Sequence, residues 1–467
     1  MSEYRLLING QLVDGDLSMD VVNPATEEVV ARCPRASEAQ LEAAIAAAKA
    51  AFPAWSATPI AERSKVLLAM ADRIEANADA IARILTQEQG KPIADATGEV
   101  YGAAIYFRYF AGLDLPVEMI EETAERRVEL HHRPLGVVGA IVPWNFPIIL
   151  LAFKLPPALL AGNTLVLKPA PTTPLSTLKL AELIADLAPP GVVNIIADAN
   201  ELGAKLTAHP DVAKISFTGS TATGAKVMAG AAAMIKRVTL ELGGNDAGIV
   251  LGDVNPKETA PALFGAAFAN NGQVCIAMKR LYVHESIYDD MCSELATLAE
   301  AAIVGDGLQQ GTQLGPLQNK AQFERVKELI EDARQHGTVI AGGTLPESKG
   351  YFVRPTIVRD ITDGTRLVDE EQFGPVLPVI KYSDPEDAVR RANASPYGLG
   401  GSVWSKDVNK AYALAEKMDS GTIWVNKHLD MAPNIPFGGA KQSGTGTECA
   451  EIGLEEFTQR KVINVAL

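Results

Sequence analysis

The chain has 467 residues, too many for one ordinary hydrophobic core, so two large domains are expected. Apolar residues make up 47% and charged residues 21%, the balance of a globular protein with ample material for buried sheets. A formal net charge of -15 with no basic run repels phosphate backbones and excludes nucleic acid as a natural partner.

The N-terminus has no basic region followed by an apolar core, so no signal peptide is expected. Four scattered cysteines (Cys33, Cys275, Cys292, Cys449) form no C-x-x-C pair, and no H-E-x-x-H is present, so no metal site is read. So few cysteines in so long a chain point to a reducing, cytoplasmic compartment.

Residues 1–15 alternate and turn at Asn9-Gly10 and Asp14-Gly15, which predicts a β-hairpin. A serine with acids close behind it predicts a capped amphipathic helix over 37–52, and a second helical region covers 63–89. Residues 115–132 are charged and alternating, an excursion that needs a strand partner; the C-terminal "QRKVINVAL" is the candidate. Residues 136–162 are apolar for longer than a membrane span requires. Pro143, Pro147, Pro156 and Pro157 interrupt them, however, and Asn145 and Lys154 would be stranded in hydrocarbon. A buried strand, a turn and a buried helix fit better, and no membrane partner is expected.

From residue 136 the strand-like runs "GVVGAIVPW", "NTLVLKPA", "GVVNII" and "AKISFTGS" alternate with helical segments such as 175–187 and 223–234. Such alternation implies parallel crossover units and a sheet covered on both faces. It restarts after "RVTLELGGN" with "AGIVL", a helix over 257–270 and "KRLYVH", which places a domain boundary near Gly243-Gly244.

Several short motifs carry chemistry, each with a plainer structural reading. Phe217-Thr218-Gly219-Ser220-Thr221-Ala222-Thr223-Gly224 joins a strand to a helix, where free backbone N–H groups receive anions. Its glycine spacing is neither that of the dinucleotide fingerprint nor, with Ala225 in the lysine position, that of a Walker loop. Asn145, between prolines in "PWNFP", is either an Asx-turn residue or a rigid donor to an oxyanion. Lys168 closes a strand at the end where open parallel sheets bind ligands, and is otherwise a surface lysine. Glu241, in "LELGG", is a half-buried carboxylate and so a candidate base. Cys275, in "GQVCIA", is by composition a small core residue and becomes a nucleophile only in company.

That company comes from order and spacing. P-W-N-F-P at 143–147, L-K-P at 167–169, F-T-G-S-T at 217–221 and L-E-L-G-G-N at 240–245 are followed by G-Q-V-C at 272–275 and E-E-Q-F-G-P at 370–375. W-V-N at 424–426, P-F-G-G-x-K-x-S-G at 436–444 and G-T-E at 446–448 complete the series. Over essentially its whole length the chain resembles the aldehyde dehydrogenase superfamily, of the hydrolytic, non-CoA-acylating type.

The resemblance implies two Rossmann-like α/β domains and a small bridging sheet. A cofactor-binding part would hold 1–112 and 136–243, a catalytic part 244–445, and bridging or oligomerisation elements 113–135 and 446–467, built into a homodimer or homotetramer. The implied catalytic set is Cys275, Glu241, Asn145, Lys168 and Glu448. Cys275 would attack the aldehyde, Asn145 and the Cys275 N–H would hold the oxyanion, and Glu241 would activate the water that hydrolyses the thioester. Glu448 would serve a proton relay.

For the cofactor, NAD with NADP possible, the resemblance implies Trp144 and Lys168 on the adenosine side. It puts Gly219, Ser220, Gly224 and Leu242 near the diphosphate, with Glu371 on the nicotinamide ribose and Phe373 beside the ring. Gly272 would let the nucleophile loop approach the nicotinamide closely. An aldehyde tunnel would be lined by Phe146, Leu150, Phe153, Val274, Ile276 and Met431. Not one is charged, which favours an apolar aliphatic or aromatic aldehyde, although His428 or Asp430 could reach the tunnel mouth.

Two departures stand out. Pro171 replaces the glutamate common in NAD-selective relatives, which removes a repulsion against a 2′-phosphate without adding a cation for it. Thr447 replaces the usual arginine of G-R-E. The rivals are a CoA-acylating enzyme, which usually lacks the base at Glu241, a thiol esterase without redox chemistry, and a non-catalytic relative, which would have lost one of Asn145, Glu241 or Cys275.

Overall fold

The structure is a computed structural model that describes residues 4–345 and 349–467. The first strands, Leu6–Ile8 and Gln11–Val13, form the expected hairpin, with Asn9 and Gly10 both at positive φ as a tight two-residue turn requires. The helix expected over 37–52 runs Glu38–Ala57. Its capping box is complete, since Ser37 Oγ accepts from the Gln40 N–H and Gln40 Oε1 accepts from the Ser37 N–H. The region expected over 63–89 is two helices, Ile60–Ala76 and Ala78–Gln89. They part at Asn77, whose side-chain amide donates to the Arg73 carbonyl at 2.8 Å and competes with the helical ladder.

Five parallel strands make the body of an eight-stranded sheet, in the order Val193–Ile195, Thr164–Lys168, Val137–Ile141, Val212–Thr218, Arg237–Glu241. The hairpin adds antiparallel strands at one edge and Gly444–Thr445 adds one at the other. Chain order reverses at Val137–Ile141, so a crevice opens beyond the carboxyl ends of that strand and Val212–Thr218, where open α/β sheets bind ligands. After Val137–Ile141 the long apolar run folds as two short helices, Pro147–Ala152 and Leu155–Leu160, rather than one, the second starting at a Pro-Pro pair that cannot continue the first. Among the described residues no helix is long and apolar enough to cross a membrane.

A second sheet has seven strands, in the order Thr338–Ala341, Thr356–Arg359, Val376–Tyr382, Met278–His284, Asp246–Val250, Gly400–Trp404, Thr422–Val425. All neighbouring pairs are parallel except the first. Its central strands are buried on both faces: Ala247, Ile249 and Tyr282 pack into one apolar cluster, Val250, Leu281 and Val283 into the other. A separate three-stranded sheet joins Glu118–Glu122, Arg126–Pro134 and the C-terminal Thr458–Ala466. The last two pair antiparallel from Thr458 opposite Pro134 to Ala466 opposite Arg126, so the charged excursion finds the C-terminal strand as its mate.

Candidate active site

A cavity of about 440 Å³ lies between the two large sheets. The first sheet contributes Trp144, Asn145 and Leu150, which follow Val137–Ile141, then Gly219 and Ser220, which follow Val212–Thr218, and Leu242 and Gly243, which follow Arg237–Glu241. From the second sheet's side come Cys275, Glu371, Phe373, Gln322, Arg325 and Tyr397.

Cys275 follows three consecutive residues at positive φ: Asn270, Asn271 and Gly272. A Cβ at Gly272 would overlap the carbonyl of Gly374, so this glycine permits packing against the Glu370–Pro375 segment. The Cys275 side chain is partly exposed. Enclosure by protein pushes its thiol up to about 12; Lys279 pulls it down, while Glu241, Asp246 and Glu371 push it further up. Near neutrality Cys275 is therefore a thiol.

Asn145 is buried and well held. Its side-chain amide donates to the Gln273 carbonyl at 2.9 Å, while its backbone carbonyl accepts from Lys91 at 2.9 Å and from the Asn270 amide at 3.1 Å. One amide hydrogen is thus used on the loop that carries Cys275, and the second is left for a ligand. Lys91 pairs with Glu99, and Glu99 Oε1 accepts from the N–H groups of Ile148 and Ile149, capping the short helix after Asn145. Nothing in the sequence ties Lys91 to Asn145, because 54 positions separate them.

Glu241 ends its strand beside Thr218, and neither carboxylate oxygen has a protein partner. Burial first and the charge of Glu448 second hold its carboxyl well above the usual range, and Lys154 opposes them. Glu448 is buried against Lys154, which also donates to Thr218 at 2.8 Å and Ser216 at 3.2 Å. The residue that argued against a membrane span is therefore the counter-ion of Glu448. Gly444 pairs opposite Glu241, and the Leu242 N–H donates to the Ser443 carbonyl, so the C-terminal P-F-G-G-x-K-x-S-G segment braces this carboxylate.

On the cofactor side, Ser220 caps the helix Thr221–Ala232 by accepting from the Thr223 N–H, leaving a helix N-terminus at the cavity. The Trp144 and Phe373 rings stand edge to face at 5.3 Å. Glu371 Oε1 accepts from the Gly244 N–H at 3.0 Å, and a Cβ at Gly243 would overlap the Glu371 carboxylate. Gly224 is buried against Leu242, whose methyl groups occupy the space a Cβ would need. Lys168 does not line the cavity; its ammonium is buried 2.6 Å from Asp198. An anion-receptive helix end, two aromatic faces and a carboxylate fit a dinucleotide.

Of the six expected tunnel residues Leu150 alone lines this cavity; Phe153, Val274 and Ile276 are buried in the large apolar core that includes the first sheet, and Phe146 and Met431 pack against that core half-buried. His428 is not at a tunnel mouth: its side chain is buried, with Nε2 2.8 Å from the Ile276 carbonyl. Asp430 pairs with Lys427 at the surface. Gln322 and Arg325 were also missed, since a charged amphipathic helix (Lys320–His336) carries no signal that two of its polar residues face a site. Among the described residues no group of three metal-ligating side chains could hold a metal ion.

The aldehyde dehydrogenase family model matches residues 12–463. The phenylacetaldehyde dehydrogenase of Pseudomonas fluorescens is 40% identical, over 99% of this chain and 96% of its own. Among solved structures, a betaine aldehyde dehydrogenase from Staphylococcus aureus in complex with NAD+ is similar at a TM-score of 0.96 and 33% identity, covering 99% of this chain and 94% of its own. An NADP-dependent enzyme of E. coli is similar at 0.97 and 36%, covering 100% and 98%. The chain belongs to the aldehyde dehydrogenase family and is an oxidoreductase of that class, acting on aldehydes with NAD(P).

Proposed function

We propose that the protein oxidises an apolar aliphatic or aromatic aldehyde to its carboxylic acid through a thioester on Cys275. The observation that carries this reading is the convergence of Cys275 and the tethered Asn145 amide on one cavity, with the unpartnered Glu241 carboxylate acting on the same thiol. A carbonyl carbon cannot release hydride until a nucleophile makes it tetrahedral, and a thiolate is the strongest such side chain near neutrality. Cys275 Sγ gives up its proton to water and adds to the carbonyl carbon. The second amide hydrogen of Asn145 and the Cys275 N–H receive the oxyanion. NAD(P), when held by the capped helix end, Trp144, Glu371 and Phe373, supplies the hydride acceptor. After hydride has left, Cys275 carries the acyl group, and Glu241 removes a proton from the water that releases the acid.

NAD is the expected cofactor, with NADP accepted, because Pro171 neither chelates a ribose diol nor repels a phosphate. The two cofactors named for the structural relatives support both arms. The lack of any charge among Phe146, Leu150, Phe153, Val274, Ile276 and Met431, and the similarity to a phenylacetaldehyde dehydrogenase, favour an uncharged substrate tail. On this reading residues 1–112 and 136–243 hold the cofactor and 244–445 carry the nucleophile. Residues 113–135 and 446–467, with Met119, Ile120 and Val462 exposed, join subunits of a homodimer or homotetramer.

Glu241→Gln tests the chemistry. It should give one burst of reduced nicotinamide per active site and then stall as acyl-enzyme, while Cys275→Ala should give neither burst nor turnover. Undiminished steady turnover without a burst in the glutamine variant would reassign the base, and turnover in the alanine variant would end the proposal.

A further inference from the structure

Lys279 belongs to none of the motifs above. It lies in the strand Met278–His284, four residues after Cys275, and its side chain is only 2% exposed. Its ammonium turns back on the nucleophile loop, with Nζ 2.8 Å from the Val274 carbonyl oxygen and 2.6 Å from that of Cys275. Glu371 Oε1 is 3.6 Å away, from the loop before Val376–Tyr382, and the Phe373 ring centre is 5.8 Å away. Asp246, on the adjoining strand, and His428, after Thr422–Val425, are the other titratable groups that feel its charge. Burial pushes the His428 imidazole down to about 4, so near neutrality it is uncharged, with Nε2–H donating to the Ile276 carbonyl and Nδ1 accepting from Ser402 Oγ at 3.0 Å. Two buried side chains thus hold three successive carbonyls of the loop.

The Val274 carbonyl and the Cys275 N–H belong to one planar trans peptide and point in opposite directions. A carbonyl tied to Lys279 therefore sends the Cys275 N–H to the opposite face of the loop. Glu241, Asp246 and Glu371 all oppose ionisation of the thiol, and Lys279 is the cation that favours it. We propose that Lys279 is a positioning residue for the nucleophile: it aims the Cys275 N–H at the substrate oxyanion and keeps a fixed positive charge behind the sulfur.

The inference rests on Cys275 being the nucleophile and deepens that reading. Its test is the rate of Cys275 alkylation by iodoacetamide in the full chain without cofactor, with the labelled residue identified by mass spectrometry. Well below the thiol's pKa this rate follows the thiolate fraction, so the ratio between two variants is independent of pH. Lys279→Met should alkylate about tenfold or more slowly at every pH from 7 to 9, the effect of removing one close opposite charge. Its kcat should fall by about 10²-fold through the misaimed oxyanion donor, with aldehyde KM less changed. Lys279→Arg, which keeps the charge if the loop is repacked, should recover alkylation more than turnover. A merely structural lysine would lower the thermal midpoint and leave alkylation per folded site at the wild-type rate. That result in Lys279→Met, or in Lys279→Gln should the methionine variant not fold, overturns the inference while the nucleophile assignment stands. Wild-type label on a cysteine other than Cys275 would overturn the assignment itself.

Discussion

The two large sheets supply the cavity in opposite ways. In the eight-stranded sheet the site residues follow their strands: Asn145 after Val137–Ile141, Gly219 and Ser220 after Val212–Thr218, Glu241 at the last position of Arg237–Glu241. In the seven-stranded sheet they precede them: Cys275 comes before Met278–His284, and Glu371 and Phe373 before Val376–Tyr382. The first arrangement is the ordinary one for parallel sheets, where helix N-termini and free N–H groups gather at the carboxyl ends. The second presents side chains from irregular loops, which must be braced. Asn270, Asn271 and Phe373 are held at positive φ, and Gln273, Lys279 and Gln372 are buried with their side-chain nitrogens donating to backbone carbonyls. A sheet edge that binds by its backbone needs little support; a loop that must aim one sulfur needs a buried polar scaffold.

The contrast breaks most sharply at Asn145, whose side chain follows the first sheet and reaches across to the loop of the second by a hydrogen bond to Gln273. Asn145→Ala should lower kcat by about 10²–10³-fold, the usual cost of one oxyanion donor, with the folded state intact by circular dichroism. A loss of only a few-fold would return Asn145 to the role of turn residue. Next in size is a pH effect within the first sheet. Turnover requires ionised Glu241, so it should rise with pH. Because the Glu448 charge raises the Glu241 carboxyl, Glu448→Gln should move that rising limb to lower pH, and Lys154, freed of its partner, pushes the same way. A pH–kcat profile with an unmoved limb, or one moved upward, would show that the two carboxylates do not communicate. The smallest expected effect samples the shared apolar wall. Each methylene of a straight-chain aldehyde from acetaldehyde to octanal should gain about 0.8 kcal/mol, roughly three- to four-fold in kcat/KM, while succinate semialdehyde should rank low. A charged semialdehyde preferred over octanal and benzaldehyde would refute the apolar lining as the source of specificity.

Local signals carried much of the architecture. The two-residue turn at Asn9-Gly10, the capping box at Ser37 and the alternation of β-rich and helical runs each depend on neighbours a few positions apart, so they can be read along the chain. Where a local side-chain bond competed with the helix, as at Asn77, the pattern ran on and the helix did not. The ordered motifs also marked Asn145, Glu241, Cys275, Glu371 and Phe373, which converge around one site. What could not be read were the contacts that long loops bring together. Lys91 reaches Asn145, Lys154 meets Glu448, Lys168 turns to Asp198 instead of the cavity, and His428 goes inside to hold Ile276 rather than to a tunnel mouth. Each of these is a buried polar or charged group whose partner was set by desolvation: once inside, it must find whichever acceptor or counter-ion the packing of the two sheets puts within reach. Residue types and spacings state which groups have chemistry to offer. Which of them are neutralised, aimed or braced follows from burial, and burial belongs to the folded chain.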